Sequence, residues 1–391
     1  MITRIWAWPR RRFTVFLFFT SCVIFLITAI HYRNISVKEA KHDSFYRKRI
    51  IEHMRPVPRG GKLAAKLKPA DLMARGLQNT DLRRVPRLIH QSWMSTELPA
   101  RFQRWSDSCR GMHPEWEWVL WTDEDNANLV KTYFPWLEET YRALPSEIYR
   151  VDLSRSLYMY AFGGLYADLD MECLHPVESI LDAYGMAQSP QTSSENAPVA
   201  FFGRMGLHNS LWASIPNAWM LSTPGHPFFL LPIQWTQWRS VFTHDAFKWA
   251  PYFGTAESVT GPIALRNAIL EYGKSYGPEV SGGAKRLANR LAAHPMGSMF
   301  MNQTARGEGE GHRVELLHHD VIYPLSWHSW DHVEEEHTTC KSTSDSLDVN
   351  LCKDMLEVEA KGSITITYWS HTHEAFDPSG HSNWSMDHLY R

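Results

Sequence analysis

Two carboxylates separated by one residue, Asp168 and Asp170, close an apolar run. A carboxylate and a guanidinium three apart, Asp152 and Arg155, precede them within residues 144–172. Oxygen ligands suit a hard divalent cation, and one or two carboxylates that leave its other positions open are a common way to hold a metal–diphosphate. Residues two apart on a strand share a face, and residues three apart on a helix do the same. The four side chains therefore converge if 147–162 is a helix and 165–168 a strand. Ligands of open α/β sheets sit beyond the carboxyl ends of strands, so this pattern points to a nucleotide-diphosphate site. A second Asp-x-Asp, Asp123-Glu124-Asp125, also follows an apolar stretch. Its acidic residues read instead as a helix N-terminus, where they complement the dipole.

Several elements must position these residues. Ile148, Val151, Leu153, Leu157, Tyr158 and Ala161 recur at helical spacing. Gly163-Gly164 marks a turn, and 165–168 a buried strand. Upstream, RLIHQSW (87–93) and WEWVLWT (116–122) read as strands, with 99–109 a helix between them. Alternating strands and helices imply a largely parallel sheet with helices on both faces. Further on, 215–222 and 363–369 alternate like strands. Residues 260–262 start a helix, and 44–54 and 63–77 read as short helices.

The chain has 391 residues, formal net charge −2 and 44% hydrophobic residues, a globular composition. Near-neutral charge argues against a dedicated nucleic-acid binder. Residues 13–30 carry no charge and reach the length of a membrane span. Arg4 and Arg10 to Arg12 precede them, which by the positive-inside rule puts the N-terminus on the cytosolic side; Arg33, Lys38, Lys41 and Arg47 to Arg49 make the far side basic too, and the orientation rests in part on the family resemblance given below. The resulting organisation is a cytoplasmic tail 1–12, a transmembrane signal-anchor 13–31, a basic luminal stem 32–85 and a catalytic domain 86–391. Sequons at Asn302 and Asn383 fit a luminal domain. Outside the span, Cys109, Cys173, Cys340 and Cys352 allow three disulfide pairings, among which Cys340–Cys352 is favoured by proximity.

The stretches PRLIHQSW, PEWEWVLWTDEDN, YRVDLSRSLYMYAFGGLYADLD, IPNAWMLSTPGHPF and VTGP, in this order, resemble glycosyltransferase family 32. Its best-known members are fungal Golgi mannosyltransferases acting on N-glycans and on inositol phosphoryl-ceramide. The resemblance runs from about residue 86 to the C-terminus. It implies the GT-A nucleotide-sugar transferase fold, a Rossmann-like mostly parallel sheet, and a single-pass type II protein of the Golgi or ER membrane. It further implies transfer of a hexose with retained configuration and dependence on Mn²⁺ or Mg²⁺. The donor is expected to be GDP-mannose, with UDP-galactose, UDP-glucose and UDP-N-acetylglucosamine as alternatives, and the acceptor a glycan or glycolipid. A non-catalytic sugar-binding protein of the same fold is the alternative from another class.

By the same resemblance, Asp152 and Arg155 hold the donor sugar and its phosphate, Asp168 contacts ribose and sugar, and Asp170 ligates the metal with Asp168. Ile89, His90 and Trp93 fall where a base pocket lies in this fold. Asn217 is a candidate for sugar hydroxyls, and Trp219 for the acceptor side. The C-terminal stretch 368–384 is rich in His. From it, His371 or His373 is expected to complete the metal shell, and Trp384 to reach the acceptor.

Overall fold

A computed structural model describes residues 42–76, 81–186, 197–206, 215–243, 254–292, 311–327, 339–340 and 347–370. The apolar 13–30 run, His371, His373 and Trp384 lie outside the described residues. No helix among the described residues is long and apolar enough to cross a membrane. The chain divides into two compact units, 1–46 and 47–391.

The larger unit is built on a seven-stranded sheet. Its strands are β1 (Ala65–Lys66), β2 (Leu88–Ser92), β3 (Glu117–Trp121), β4 (Gly164–Ala167), β6 (Val199–Gly203), β7 (Trp219–Ser222) and β8 (Arg313–Leu317). Their order is β1-β3-β2-β4-β7-β6-β8. Only β7 runs antiparallel to its neighbours; the other pairs are parallel. From β2 the chain moves to β3 on one side and then to β4 on the other. The β2/β4 boundary is thus the topological switch point where an open sheet leaves a crevice. Strand β5 (Met171–Cys173) leaves this sheet and pairs antiparallel with β9 (Thr365–Thr367).

Alternation along β2 and β3 explains the two covered faces. His90 and Trp121 point to one side, where both rings stack on Tyr158 of the helix Glu147–Ala161. Gln91 and Trp118 point to the other. There the Gln91 amide oxygen accepts from Trp118 Nε1 at 2.8 Å and from the Ser106 hydroxyl of helix Ala100–Met112 at 2.6 Å. The doubly bonded amide oxygen ties β2, β3 and the helix together, while Gln91 Nε2 is buried with no partner among the described residues. The expected mostly parallel sheet with helices on both faces is therefore what forms.

Four expectations are corrected. Residues 47–85, expected as stem, belong to the larger unit, because Leu67 N–H and Ala65 N–H pair with Trp118 and Trp116 carbonyls and carry β1 into the sheet. Among the described residues of the expected 63–77 helix, only Pro69–Arg75 is helical. Residues 215–218 precede the strand instead of joining it. The 363–369 strand shortens to three residues.

Asp123-Glu124-Asp125 does open a helix, Asp123–Tyr133, with a capping box between Thr122 and Asp125. That use of Asp125 leaves the later pair as the remaining candidate. Disulfides join Cys109 to Cys173 and Cys340 to Cys352. The first ties helix Ala100–Met112 to β5, three residues after Asp170.

The turn between helix and β4 depends on glycine. Gly163 has φ 64° and Gly164 φ 95°, and a Cβ on Gly164 would stand 2.6 Å from the Leu88 carbonyl oxygen of β2. Both the backbone conformation and the contact exclude a side chain. Gly164→Ala is expected to destabilise the chain by about 2 kcal/mol or more, read as a lower urea midpoint at unchanged slope; an unshifted midpoint would contradict this geometry.

Candidate functional site

Helix Glu147–Ala161 carries Asp152 and Arg155 one turn apart, both buried. The guanidinium is the hub. Nη1 lies 3.2 Å from Asp152 Oδ1 and Nη2 lies 3.1 Å from Asp168 Oδ1. Nη1 also donates to the Asn217 carbonyl at 3.3 Å. The Asn217 side chain returns to the same carboxylate, its Nδ2 donating to Asp152 Oδ1 at 3.0 Å. The Tyr166 ring lies under the guanidinium at 5.2 Å, and its hydroxyl donates to Asp168 Oδ1 at 2.5 Å. Arg155 Nε is buried without a hydrogen-bond partner among the described residues.

Asp168 and Asp170 do not sit on the strand, as expected, but on a turn that follows it. β4 ends at Ala167. Asp168 N–H still pairs with Ala218 O at 2.8 Å, and Met171 N–H closes the turn on Asp168 O at 3.2 Å. Between them Leu169 is buried in the cluster of Phe102, Trp105 and Tyr368, which pins the turn from inside. The far side of the turn is latched by the end of β9. Tyr368 N–H donates to Asp170 O at 3.2 Å, while Ser370 N–H and hydroxyl donate to Asp170 Oδ2 at 2.8 and 3.1 Å.

Each acidic residue of the turn thus commits one oxygen. Among the described residues, Asp168 Oδ2 and Asp170 Oδ1 accept no hydrogen bond. Two free carboxylate oxygens on one turn, beside a guanidinium already shared by Asp152 and Asp168, fit a hard divalent ion that brings its remaining ligands from elsewhere. Asp168 keeps 24% of its side chain exposed, so the turn is open on one side. Burial nonetheless pushes its carboxyl up to about 7; Arg155 pulls it down and Asp170 pushes it further up. Arg155 is held above the ordinary guanidinium range: burial opposes its charge, but Asp168, Tyr166 and Asp152 outweigh that.

The other expected residues are placed as follows. Asn217 joins the hub. Ile89 and His90 are wholly buried. His90 Nδ1 accepts from Trp121 Nε1 at 3.1 Å, which leaves Nε2–H to donate to Gly163 O at 2.9 Å. Burial holds the ring neutral, with its pKa lowered to about 4. His90 is a strut between β2 and the glycine turn, with neither nitrogen left for a ligand. Trp219 is also wholly buried, since its place in the register opposite Ala167 points it into the sheet. Trp93 is partly buried, its ring 5.1 Å from Phe102 in the cluster that holds Leu169.

Three residues of the site were not singled out by sequence. Tyr166 was accessible, since it stands two before Asp168 and shares its face. Ser370 carries no local signal. Gly261 falls in the expected 260–262 helix start, where turn geometry and close backbone approach explain a glycine equally well. Its Cβ position lies 3.1 Å from Asp152 Oδ2 and 2.9 Å from Glu257 Cα, so the absent side chain is what admits the carboxylate.

A separate cluster of metal-ligating types, His318, His319 and Asp320, is occupied internally. Asp320 Oδ2 is ion-paired with Arg47 at 3.1 Å, and His318 Nδ1 accepts Asp320 N–H.

Residues 99–187 match the family described as "Glycosyltransferase sugar-binding region containing DXD motif". Inositol phosphoceramide mannosyltransferase 2 of Schizosaccharomyces pombe is 31% identical over 181 residues, 46% of this chain and 45% of that one. Inositol phosphoceramide mannosyltransferase 3 of the same organism is 33% identical over 196 residues, 47% and 53% of the two chains. Initiation-specific alpha-1,6-mannosyltransferase of Saccharomyces cerevisiae is 23% identical over 103 residues, 24% of this chain and 22% of that one. The chain spans about half the length of the first two relatives. The solved structure of "PaToxG Glycosyltransferase" superposes with TM-score 0.33 and 13% identity over 58% of this chain and 80% of that chain.

Two outcomes follow from the hub. With no cation bound, the folded chain retains the Asp168 proton between about pH 4 and pH 7, while the unfolded chain has lost it. The folded state binds more protons there, so this group's contribution to stability falls as pH rises through that window and levels above it. Urea unfolding in chelator should show that decline, and Asp168→Asn should flatten it; an identical pH profile in the variant assigns the effect elsewhere. Gly261→Ala should push Asp152 or the 256–261 backbone aside. A reaction in which Asp152 takes part is then expected to slow about a hundred-fold, since a misplacement near 1 Å costs that much, while the urea midpoint moves far less; an undiminished rate would show that Asp152 tolerates displacement.

Proposed function

We infer, for a chain whose residues 99–187 match the DXD-containing glycosyltransferase family, a metal-dependent hexosyltransferase of GT-A type that moves mannose from GDP-mannose to a glycan or glycolipid acceptor. The observation that carries the reading is the shared guanidinium of Arg155, which ties Asp152 to Asp168 through their Oδ1 atoms and leaves a free oxygen on each acidic residue of the turn. Relatives named as mannosyltransferases support mannose as the sugar. Those named for inositol phosphoceramide support a glycolipid acceptor.

In this reading Asp168 and Asp170 hold Mn²⁺ or Mg²⁺, with His371 or His373 beyond them. Support for a histidine comes from Ser370, which is hydrogen-bonded to Asp170 and immediately precedes His371. When bound, the ion supplies Lewis-acid stabilisation to the departing diphosphate. Arg155 contributes a fixed positive charge that needs no reorganisation during the reaction. Asp152, oriented by Asn217 and Arg155, accepts hydrogen bonds from the donor sugar. The acceptor hydroxyl attacks on the face from which the diphosphate leaves, giving retention. Trp93, at the end of β2 and partly exposed, stacks on the base.

Calorimetry of the chain with GDP-mannose and with UDP-sugars, with and without Mn²⁺, tests this. One donor should bind only with Mn²⁺, and Asp170→Ala should abolish that binding. Asp152→Ala should lower transfer by about a hundred-fold or more while nucleotide affinity changes little; equal loss of both would remove its assignment to the sugar. Binding of no sugar nucleotide at all would favour a non-catalytic sugar-binding protein.

A further inference from the structure

The chain leaves β9 through a backbone conformation that an aromatic residue rarely adopts. Among the described residues only Glu357 and Trp369 have positive φ without being glycine, at 53° and 48°. Glu357 stands at the N-cap of helix Val358–Lys361. Trp369 begins no helix, and the left-handed region crowds the Cβ of so bulky a residue against its own backbone. Such a conformation persists only where the surroundings over-determine it.

Contacts with the 323–327 segment supply that constraint. Trp369 Nε1 donates to Leu325 O at 2.9 Å. Its ring stacks on Tyr323 at 5.5 Å and meets Trp327 edge-on at 5.1 Å. Tyr323 is buried, in space that a Cβ on Gly203 would close, standing 2.6 Å from its Cε2. The Tyr323 hydroxyl donates to Pro216 O at 3.3 Å. Pro216 immediately precedes Asn217, which orients Asp152. One ring stack thus anchors Trp369 to the segment behind the other half of the site.

The conformation serves the aspartate turn. Tyr368 N–H and Ser370 N–H both meet Asp170, the first at its carbonyl and the second at Oδ2. Along an extended strand, residues two apart stand about 6.6 Å from each other. The left-handed residue between these two bends the chain off that line, and Ser370 brings its hydroxyl to the same Oδ2 at 3.1 Å. Two donors occupy Oδ2, and Oδ1 faces none among the described residues.

We propose that Trp369 is a positioning residue: its anchored ring holds the left-handed backbone that places Ser370 on Asp170 Oδ2, and so fixes Oδ1 as the one oxygen that Asp170 offers a divalent cation. The first half stands on the geometry alone, and the second rests on the transferase reading above. Glycine enters the left-handed region freely, whereas alanine keeps the strain and lacks the ring that offsets it. The full chain is therefore compared with Trp369→Ala and Trp369→Gly. In chelator, hydrogen exchange read by mass spectrometry on the peptide carrying Ser370 should show protection lost in Trp369→Ala and kept in Trp369→Gly. Equal protection in all three chains overturns the first half. So does equal loss in both variants, which would mean that ring packing, not backbone conformation, holds Ser370. The second half is read from free Mn²⁺ by its electron paramagnetic resonance signal, without denaturant. Trp369→Ala should bind Mn²⁺ about ten-fold more weakly, and Trp369→Gly close to the unaltered chain. Ser370→Ala should weaken binding in the unaltered chain and add nothing in Trp369→Ala, since the two act as one unit. Additive losses, or undiminished affinity in Trp369→Ala, overturn this half. An unaltered chain that binds no Mn²⁺ sinks the metal reading and this half with it, while the exchange result stands.

Discussion

The rest of the site depends on one buried guanidinium serving two carboxylates. Removing three charges from water is costly, and their attraction offsets the cost only when geometry is good and the remaining polar atoms are satisfied. Arg155 meets that condition with a fork whose two ends reach Asp152 and Asp168. Asn217 and Tyr166 occupy the same Oδ1 atoms. The arrangement is still unbalanced: with Asp170 there are three carboxylates for one cation. The excess gathers on the turn, where burial chiefly, and then Asp170, push the Asp168 carboxyl up against the pull of Arg155. A divalent ion would relieve that excess, which is a stronger argument for a cation at this place than the spacing of two aspartates.

The sheet topology exists to bring those groups to one edge. The helix that carries Asp152 and Arg155 returns to the sheet through two glycines at positive φ, so close to β2 that no side chain fits. β4 then enters at the switch point. β7, inserted antiparallel beside it, presents the 217–218 backbone to Arg155 and to Asp168. The small β5/β9 sheet holds the other side, where the Cys109–Cys173 disulfide and the buried Leu169 fix the turn. A disulfide closing a loop of this length removes on the order of 4 kcal/mol of unfolded-state entropy, and it lies next to the part of the site least supported by the main sheet.

What could be read from the sequence was local. Helical spacing located 147–162, one residue longer than the helix that forms, the glycine pair located the turn, and a three-residue interval put Asp152 and Arg155 on one face. Thr122 and Asp125 also form a cap between near neighbours. What could not be read depends on partners far along the chain. Period-two alternation assigns His90 to a face but does not say that the face is filled by Tyr158 and Trp121. Trp219 is aromatic and near the motif, yet strand pairing turns it inward. The Asp-x-Asp turn replaces a strand end because Leu169 is captured by residues about 65 before and 200 after it. β1 is two residues long, too short for any periodicity, and joins the sheet through backbone bonds to β3 and the Lys66 ammonium over the Trp118 ring.

The state of Asp152 also bears on how the proposed transfer proceeds. A covalent mechanism needs a carboxylate with an oxygen free to reach the anomeric carbon and charge to donate. Asp152 Oδ1 is shared by Arg155 and Asn217, and Oδ2 stands against the Gly261 backbone. Two donors on one oxygen and a wall beside the other disperse its charge and hold it still. Such a group serves better as a fixed acceptor for sugar hydroxyls than as a nucleophile. Under the transferase reading, the reaction must then draw on positioning and on the charge fixed around Asp168 rather than on a covalent intermediate. That demand falls on Gly261 and the segment 254–261 behind it, since this wall both sets Asp152 and is held by Trp235 and Thr236 of helix Leu230–Arg239.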